Sequence, residues 1–264
     1  WNNNTSFSSF EQYTDSGGHI SVDLDSVSYW LRLKWNIGAK LQRADSNYYT
    51  LNPKATKSAF EFNCLFESLS GYHAMPFVVP SFTKTHSSSI ADWKKFWLSG
   101  GAIDFSATKD KRAFEIERRT ILSQYLTKIQ CSSDYPPQET GLTYNSWYGK
   151  PHLEMHWWHA VHYAQWGRVE LMEKNLDWYF KVADKAFALA KRQGFDGLRW
   201  QKMTDNNGNE SPSSVGAFLI WQQPHFIYMA EMLYRASATK QVINKYRRLV
   251  FATADFMAAF PSYN

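Results

Sequence analysis

Apolar and polar residues alternate with a period of two along parts of the first eighty residues, and with a period near 3.6 beyond residue 112. Ile20-Ser21-Val22-Asp23-Leu24 alternates strictly, and Ala59–Phe66 alternates again. Ser26–Trp35 is rich in β-branched and aromatic residues, so each of the three segments predicts a strand. Turn chemistry falls at Asp15-Ser16-Gly17-Gly18 and at Asn52-Pro53. Residues 1–80 therefore read as part of a β-sandwich domain. The stretch Pro80–Ser89 is polar and lacks a period, which makes it the candidate linker, and residues 81–111 as a whole read as a helical linker.

The second pattern predicts five helices. The first runs over 112–129 with Ile116, Leu122, Tyr125, Leu126 and Ile129 inward. The second starts near His152. A third spans 169–193, with Leu176, Phe180, Ala183, Phe187 and Ala190 on one face and Gly194 as its stop. The fourth begins near Gln223-Pro224, because proline suits a first helical position. The fifth covers 239–259, with Val242, Tyr246, Leu249, Val250 and Phe256 inward. Long loops, 130–150 and 194–222, precede the second and fourth helices. If the helices alternate in direction, both loops and both helix N-termini lie at one end of the array, where free N–H groups favour anions.

That end is where the chemistry concentrates. Between Gly149 and His162 stand four histidines, two tryptophans and one carboxylate, Glu154. On a helix, Leu153, Trp157, Ala160 and Ala164 have core spacing, and His152, His156, His159 and Tyr163 follow one residue behind. Opposing an apolar stripe with imidazole, indole and carboxylate suits a pocket that stacks on sugar rings and hydrogen-bonds hydroxyls. The alternative is a buried helix whose histidines are satisfied by backbone. The first long loop adds Glu139 and Trp147. The second adds Arg199, Trp200, Lys202, Gln222, Gln223 and His225, whose amides and cations pair with hydroxyls. Glu139 and Glu154 are the candidate catalytic carboxylates. Trp147, His152, His156, Trp157, Trp158, Arg199, Trp200, Lys202, Gln222, Gln223 and His225 are the candidate substrate-binding residues. Trp157 also fits a core position, Arg199-Trp200 also fits a cation–π pair, and Asp205–Asn209 also fits a plain turn.

Composition narrows the classes. Aromatics make up 17% of 264 residues and include 12 Trp, which suits ligands with flat apolar faces. The formal charge of +5 comes from dispersed Lys and Arg, so no nucleic-acid footprint is expected. No apolar run reaches membrane-spanning length, and no membrane partner is expected. Cys64 and Cys131 are compatible with any compartment. The chain opens at Trp1 without Met and closes at Asn264, and both ends look cut from something longer. A lost leader favours a periplasmic or secreted location over a cytoplasmic one. Sequons stand at Asn3, Asn4 and Asn209. His152, His156 and His159 have a spacing that could hold a metal, but no H-E-x-x-H motif accompanies them, and no metal or cofactor is expected. Neither a G-x-S-x-G nor a G-x-x-x-x-G-K element is present.

Three stretches carry a family resemblance. Trp93–Asp104, followed by the helical Glu115–Gln130, resembles the linker and first barrel helix of the maltose, trehalose and kojibiose phosphorylases, glycoside hydrolase family 65 of the six-hairpin glycosidases. Gly141-Leu142-Thr143, Gly149 and His152, then Leu153-Glu154, resemble the family's stretch ending in a Trp-Asp pair that holds the sugar. Gln193–Trp200, followed by Glu210-Ser211-Pro212, resembles its next barrel loop. The resemblance spans about residues 90–236. It implies a mainly α fold, the first half of an (α/α)6 six-hairpin toroid over 112–264, preceded by the end of a β-sandwich domain. It also implies a carbohydrate-active enzyme acting on an oligosaccharide or glycoside, most simply an inverting hydrolase of α-linked glucosides, with a disaccharide phosphorylase as the alternative. Glu154 stands where the family has Asp and Leu153 where it has Trp, which leaves the sugar and its binding mode open. The family's general acid lies in the later hairpins, beyond Asn264. A polysaccharide lyase on a similar toroid, which needs a basic cleft from Lys150, Arg199 and Lys202, and a non-catalytic glycan-binding domain are the rival classes.

Overall fold

The computed structural model describes residues 6–24, 27–54, 59–68, 78–211, 213, 215–216 and 218–261. The sequons at Asn3 and Asn4, together with Ser26 and Pro212, lie outside them. The chain forms two compact units, residues 1–96 and 97–264.

Six strands build the first unit: β1 (Ser6–Thr14), β2 (Gly17–Leu24), β3 (Val27–Trp35), β4 (Ala39–Asp45), β5 (Tyr48–Pro53) and β6 (Phe62–Ser68). They form an antiparallel sheet of order β1-β2-β3-β6 and an antiparallel pair β4-β5. Ile20 lies opposite Leu31, so the alternation places Ile20, Val22, Leu31 and Leu33 on one face. That face packs with Trp35, Ala39, Leu41, Tyr49 and Leu51 into the first core. The Gln12 amide ties β1 to β4, donating to Ala39 O (2.8 Å) and accepting from Leu41 N (2.9 Å). The expected turn at Asp15–Gly18 joins β1 to β2. Asn52-Pro53 instead ends β5, because the β4–β5 hairpin closes at Ser46-Asn47, where the Asp45 carboxylate accepts from Ser46 N (2.7 Å).

A mainly α class does not describe this chain. Its described residues are 46% helix and 20% strand, with six strands in two antiparallel sheets beside six helices. The linker, read as helical although Pro80–Ser89 lacks a period, is regular from its start. Residues Phe82–Leu98 form α1, and Ser81 Oγ accepts from Lys84 N (3.3 Å) in the manner of an N-cap.

The second unit holds α2 (Ala113–Cys131), α3 (Leu153–Gln165), α4 (Val169–Arg192), α5 (His225–Ala236) and α6 (Lys240–Ala259). The hairpins α3–α4 and α5–α6 stack side by side. Their core joins Leu153, Tyr163, Leu176, Trp178, Tyr179, Trp200, Phe226, Met229, Tyr246 and Leu249. Two inward faces differ from expectation. The apolar stripe of α2 (Ile116, Leu122, Tyr125, Leu126 and Ile129) is exposed, because the main packing neighbour of α2 is α3 and the buried residues on α2 are Gln124 and Cys131. On α3, His156 rather than Trp157 is fully buried, because its ring stacks on Tyr179 of α4 and bonds the phenol at 2.9 Å.

The loop 194–222 is pinned where its backbone crosses α6. Leu198 N donates to Ala252 O (2.9 Å), and Gly197 sits at φ +75°. A Cβ at Gly197 would lie 2.1 Å from Ala252 O and 2.6 Å from Phe256 N, both backbone atoms. Gly197→Ala is therefore expected to destabilise the unit by about 1–3 kcal/mol. Urea denaturation measures this, and a change below about 0.5 kcal/mol would show that the crossing yields freely.

Candidate functional site

The N-termini of α3 and α5 meet. The chain before α3 pairs with the second long loop: His152 bridges to Met203, Thr204 N donates to Pro151 O (3.1 Å), and Leu153 N donates to Lys202 O (2.9 Å). His225, opening α5, donates from Nδ1 to Leu153 O at 3.1 Å. Both long loops thus come to one end of the array. Anions gain little at α3, however, because Lys202 O takes Leu153 N and Glu154 N, and His152 O takes Met155 N.

The cluster centres on His152, which is 1% exposed. Glu154 Oε2 lies 3.1 Å from His152 Nε2 and 3.2 Å from Lys202 Nζ. A carboxylate only accepts, so Nε2 carries the proton. That leaves Nδ1, which is buried without a hydrogen bond, facing Glu139 Oε2 at 3.9 Å. Glu139 Oε2 also accepts from Ser146 Oγ (3.0 Å), and its backbone oxygen accepts from His159 Nε2 (2.8 Å). The Lys202 ammonium lies 4.3 Å from the centre of the Trp147 ring. Trp147 occupies a 3-10 turn, Trp147–Gly149, at φ +49°, a conformation that costs an L-residue about 1–2 kcal/mol. Burial lowers the pKa of His152 more than Glu154 and Glu139 raise it, so its imidazole is held toward the neutral form.

An aromatic wall continues from the cluster. Trp157 packs edge-on against Trp158 (4.8 Å) and Tyr228 (5.6 Å), and lies 6.5 Å from the His225 ring. Trp221 flanks His225 at 5.5 Å. Trp158 is exposed and Trp157 half-buried.

The structure therefore brings together Glu139, Trp147, His152, Glu154, Lys202 and His225, with Trp157 and Trp158 alongside. Four other candidates serve as a strut. Arg199 Nη2 donates to Leu219 O (2.6 Å), with its guanidinium over Phe256 rather than Trp200. Trp200, 2% exposed, donates from Nε1 to Thr253 Oγ1 at 2.9 Å. Gln222 Nε2 donates to Trp200 O (2.9 Å) and Leu219 O (2.8 Å). Gln223 accepts from Trp200 N (2.8 Å) and donates to Leu198 O. His156 lies in the core, where burial pushes its pKa down to about 3. Sequence reasoning passed over Ser146, Trp221 and Tyr228. For Tyr228, a signal was available in its position one turn after Pro224-His225. Among the described residues, no group of three or more His, Cys, Asp or Glu could hold a metal ion.

No family model matches the chain, and no curated protein matches it. Among solved structures, it is similar to one named "Putative kojibiose phosphorylase from human microbiome", with a TM-score of 0.52 and 10% sequence identity. The match covers 98% of this chain but 37% of that one, so the chain spans little more than a third of its length. At that identity the likeness shows the fold.

Proposed function

We propose that the cluster is part of a saccharide-binding cleft in a carbohydrate-active enzyme that cleaves glycosidic bonds. One observation carries the reading. Glu154 is fixed through Oε2 by His152 and Lys202, while Oε1 has no protein hydrogen bond among the described residues, beside a wall of Trp and Tyr. A carboxylate held in this way has a free acceptor for sugar hydroxyls, and the rings supply the stacking faces. Glu139, on the other side of the His152 ring, is the local candidate for the acid or base role. Inverting cleavage by water, which needs a second carboxyl group about 6.5–9.5 Å from the acid, would make the enzyme a hydrolase. Phosphate in place of water as nucleophile would make the enzyme a phosphorylase. The lyase reading fares worse: Lys202 is paired with Glu154, and Arg199 is committed to loop carbonyls.

Glu154→Gln tests the reading. Replacing the carboxylate is expected to weaken binding of glucose and α-linked glucose disaccharides about 10–150-fold, the worth of a hydrogen bond to a charged group. The melting temperature should fall as well, because the buried Lys202 ammonium loses its carboxylate partner, so affinity is compared at a temperature where both proteins are folded. Titration calorimetry, with hydrolysis and phosphorolysis assays in parallel, measures it. Undiminished affinity in the variant would sink the proposal.

A further inference from the structure

We propose a second saccharide site on the back of the loop that carries Glu139. A cavity of about 440 Å³ opens between the end of α2 and the segment 135–151, lined among others by Gln130, Ser132, Tyr135, Pro137, Gln138 and Asn206. Its volume lies within the range of small-ligand pockets, about 300–1,000 Å³. None of its lining residues is charged. Of the cations around it, Lys174 pairs with Asp134 at 2.9 Å, and Lys181 lies 5.8 Å from the centre of the Tyr135 ring. An ionic ligand would lose hydration there without a counter-charge. Amide and hydroxyl groups beside flat proline and tyrosine faces suit a neutral polyol with an apolar side, which describes a pyranose.

The walls are fixed by hydrogen bonds. The loop folds back on α2, where Gln130 Oε1 accepts from Leu142 N and Gly141, at φ +60°, presses against the Gln130 side chain. The Gln138 side chain spans the loop, donating to Gly141 O and Tyr144 O and accepting from Ser146 N. Pre-ordered walls lower the entropy cost of binding. Two hydroxyl and amide groups are left for a ligand: among the described residues, the Ser132 hydroxyl and the Asn206 side-chain amide make no protein hydrogen bond. The same segment reaches the cluster. Pro137 O accepts from His152 N at 3.0 Å, and Gln138 adjoins Glu139. A sugar in the cavity therefore braces the loop that positions Glu139 and His152.

The test is amide NMR titration of the 264-residue chain with glucose and an α-linked glucose disaccharide, with glucuronate and glucose 6-phosphate as charged controls. Two groups of shifts are expected, one over residues 130–142 and one over 152–159. Glu154→Gln should remove the second and spare the first, so failure of the cleft reading and failure of this one are separable. Ser132→Trp fills the cavity and should abolish the first group alone. Asn206→Ala, an exposed change, should weaken it about 3–10-fold, the worth of one neutral hydrogen bond, and decides the matter if Ser132→Trp does not fold. Absence of shifts over 130–142, equal binding of the charged sugars there, or wild-type affinity in Asn206→Ala with Ser132→Trp ineffective or unfolded would each overturn the proposal.

Discussion

Trp200→Ala is expected to destabilise the helical unit by about 3–5 kcal/mol, the usual cost of emptying a large buried aromatic position. The indole lies where three helices converge. Its ring centre is 4.8 Å from that of Tyr179 on α4 and 5.9 Å from that of Phe226 on α5, and its N–H bonds Thr253 of α6. Removing it leaves a cavity and strands a buried hydroxyl, and both losses fall within that range. Trp200→Phe should restore most of the packing but not the hydrogen bond, costing about 1–3 kcal/mol. Trp158→Ala, at an exposed position, should stay within about 0.5 kcal/mol. Urea denaturation of the three variants measures the contrast. If Trp200→Ala kept wild-type stability while losing sugar affinity, the residue would belong to the cleft and not to the core.

The contrast between Trp200 and Trp158 marks the limit of what spacing reveals. Strands β2, β3 and β6 were legible because each alternates apolar and polar residues or is dense in β-branched and aromatic ones. In β1 the face opposite the charged side carries Ser8, Phe10 and Gln12, so the period is present but not hydrophobic. The helices α4 and α6 were legible almost to the residue, because long amphipathic stripes meet capping signals at their ends. For α1 only a helical linker within 81–111 was legible and not its bounds, because Thr, Ser and His fill its first turns. Within the cluster, His152 and Glu154 came from a single idea, that imidazole and carboxylate opposite an apolar stripe belong together, whereas Glu139 came from the first long loop as its carboxylate. Sequence could not tell an amide that binds a ligand from one that binds a carbonyl. Gln223 and Gln222 have the composition of sugar ligands, yet they hold Trp200 and Leu198 by the backbone. Nor could spacing show that His156 would turn inward, since that depends on Tyr179 arriving from α4 with a phenol to pair it.

Acidification from pH 7 to pH 5 is expected to destabilise the helical unit steeply, before its carboxylates titrate. Burial is the leading cause that lowers the pKa of His152, His156, His159, His162 and His225. An unfolded histidine takes up a proton near pH 6.5. Between that value and the lower folded one, the unfolded state binds more protons than the native state, so stability rises with pH in this window. It is complete above about pH 6.5 and is lost as the pH falls through each folded value. Each histidine contributes a slope of about 1.4 kcal/mol per pH unit while it stays neutral in the fold. For His156 the window runs from 6.5 down to about 3, which is several kcal/mol at its acid end against about 5–15 kcal/mol for the whole stability of a modest domain. Carboxylates act lower: Glu115, bonded to Arg118 and Arg119, is held to about 2, so its contribution disappears only below about pH 4.5. Denaturation midpoints taken every half unit from pH 7.5 to 4.5 separate the two classes. His156→Gln retains a partner for Tyr179 and should remove the slope of one histidine, whereas Glu115→Gln should leave the slope above pH 5 unchanged. A midpoint flat between pH 7 and 5 would mean that these rings exchange protons without opening the fold.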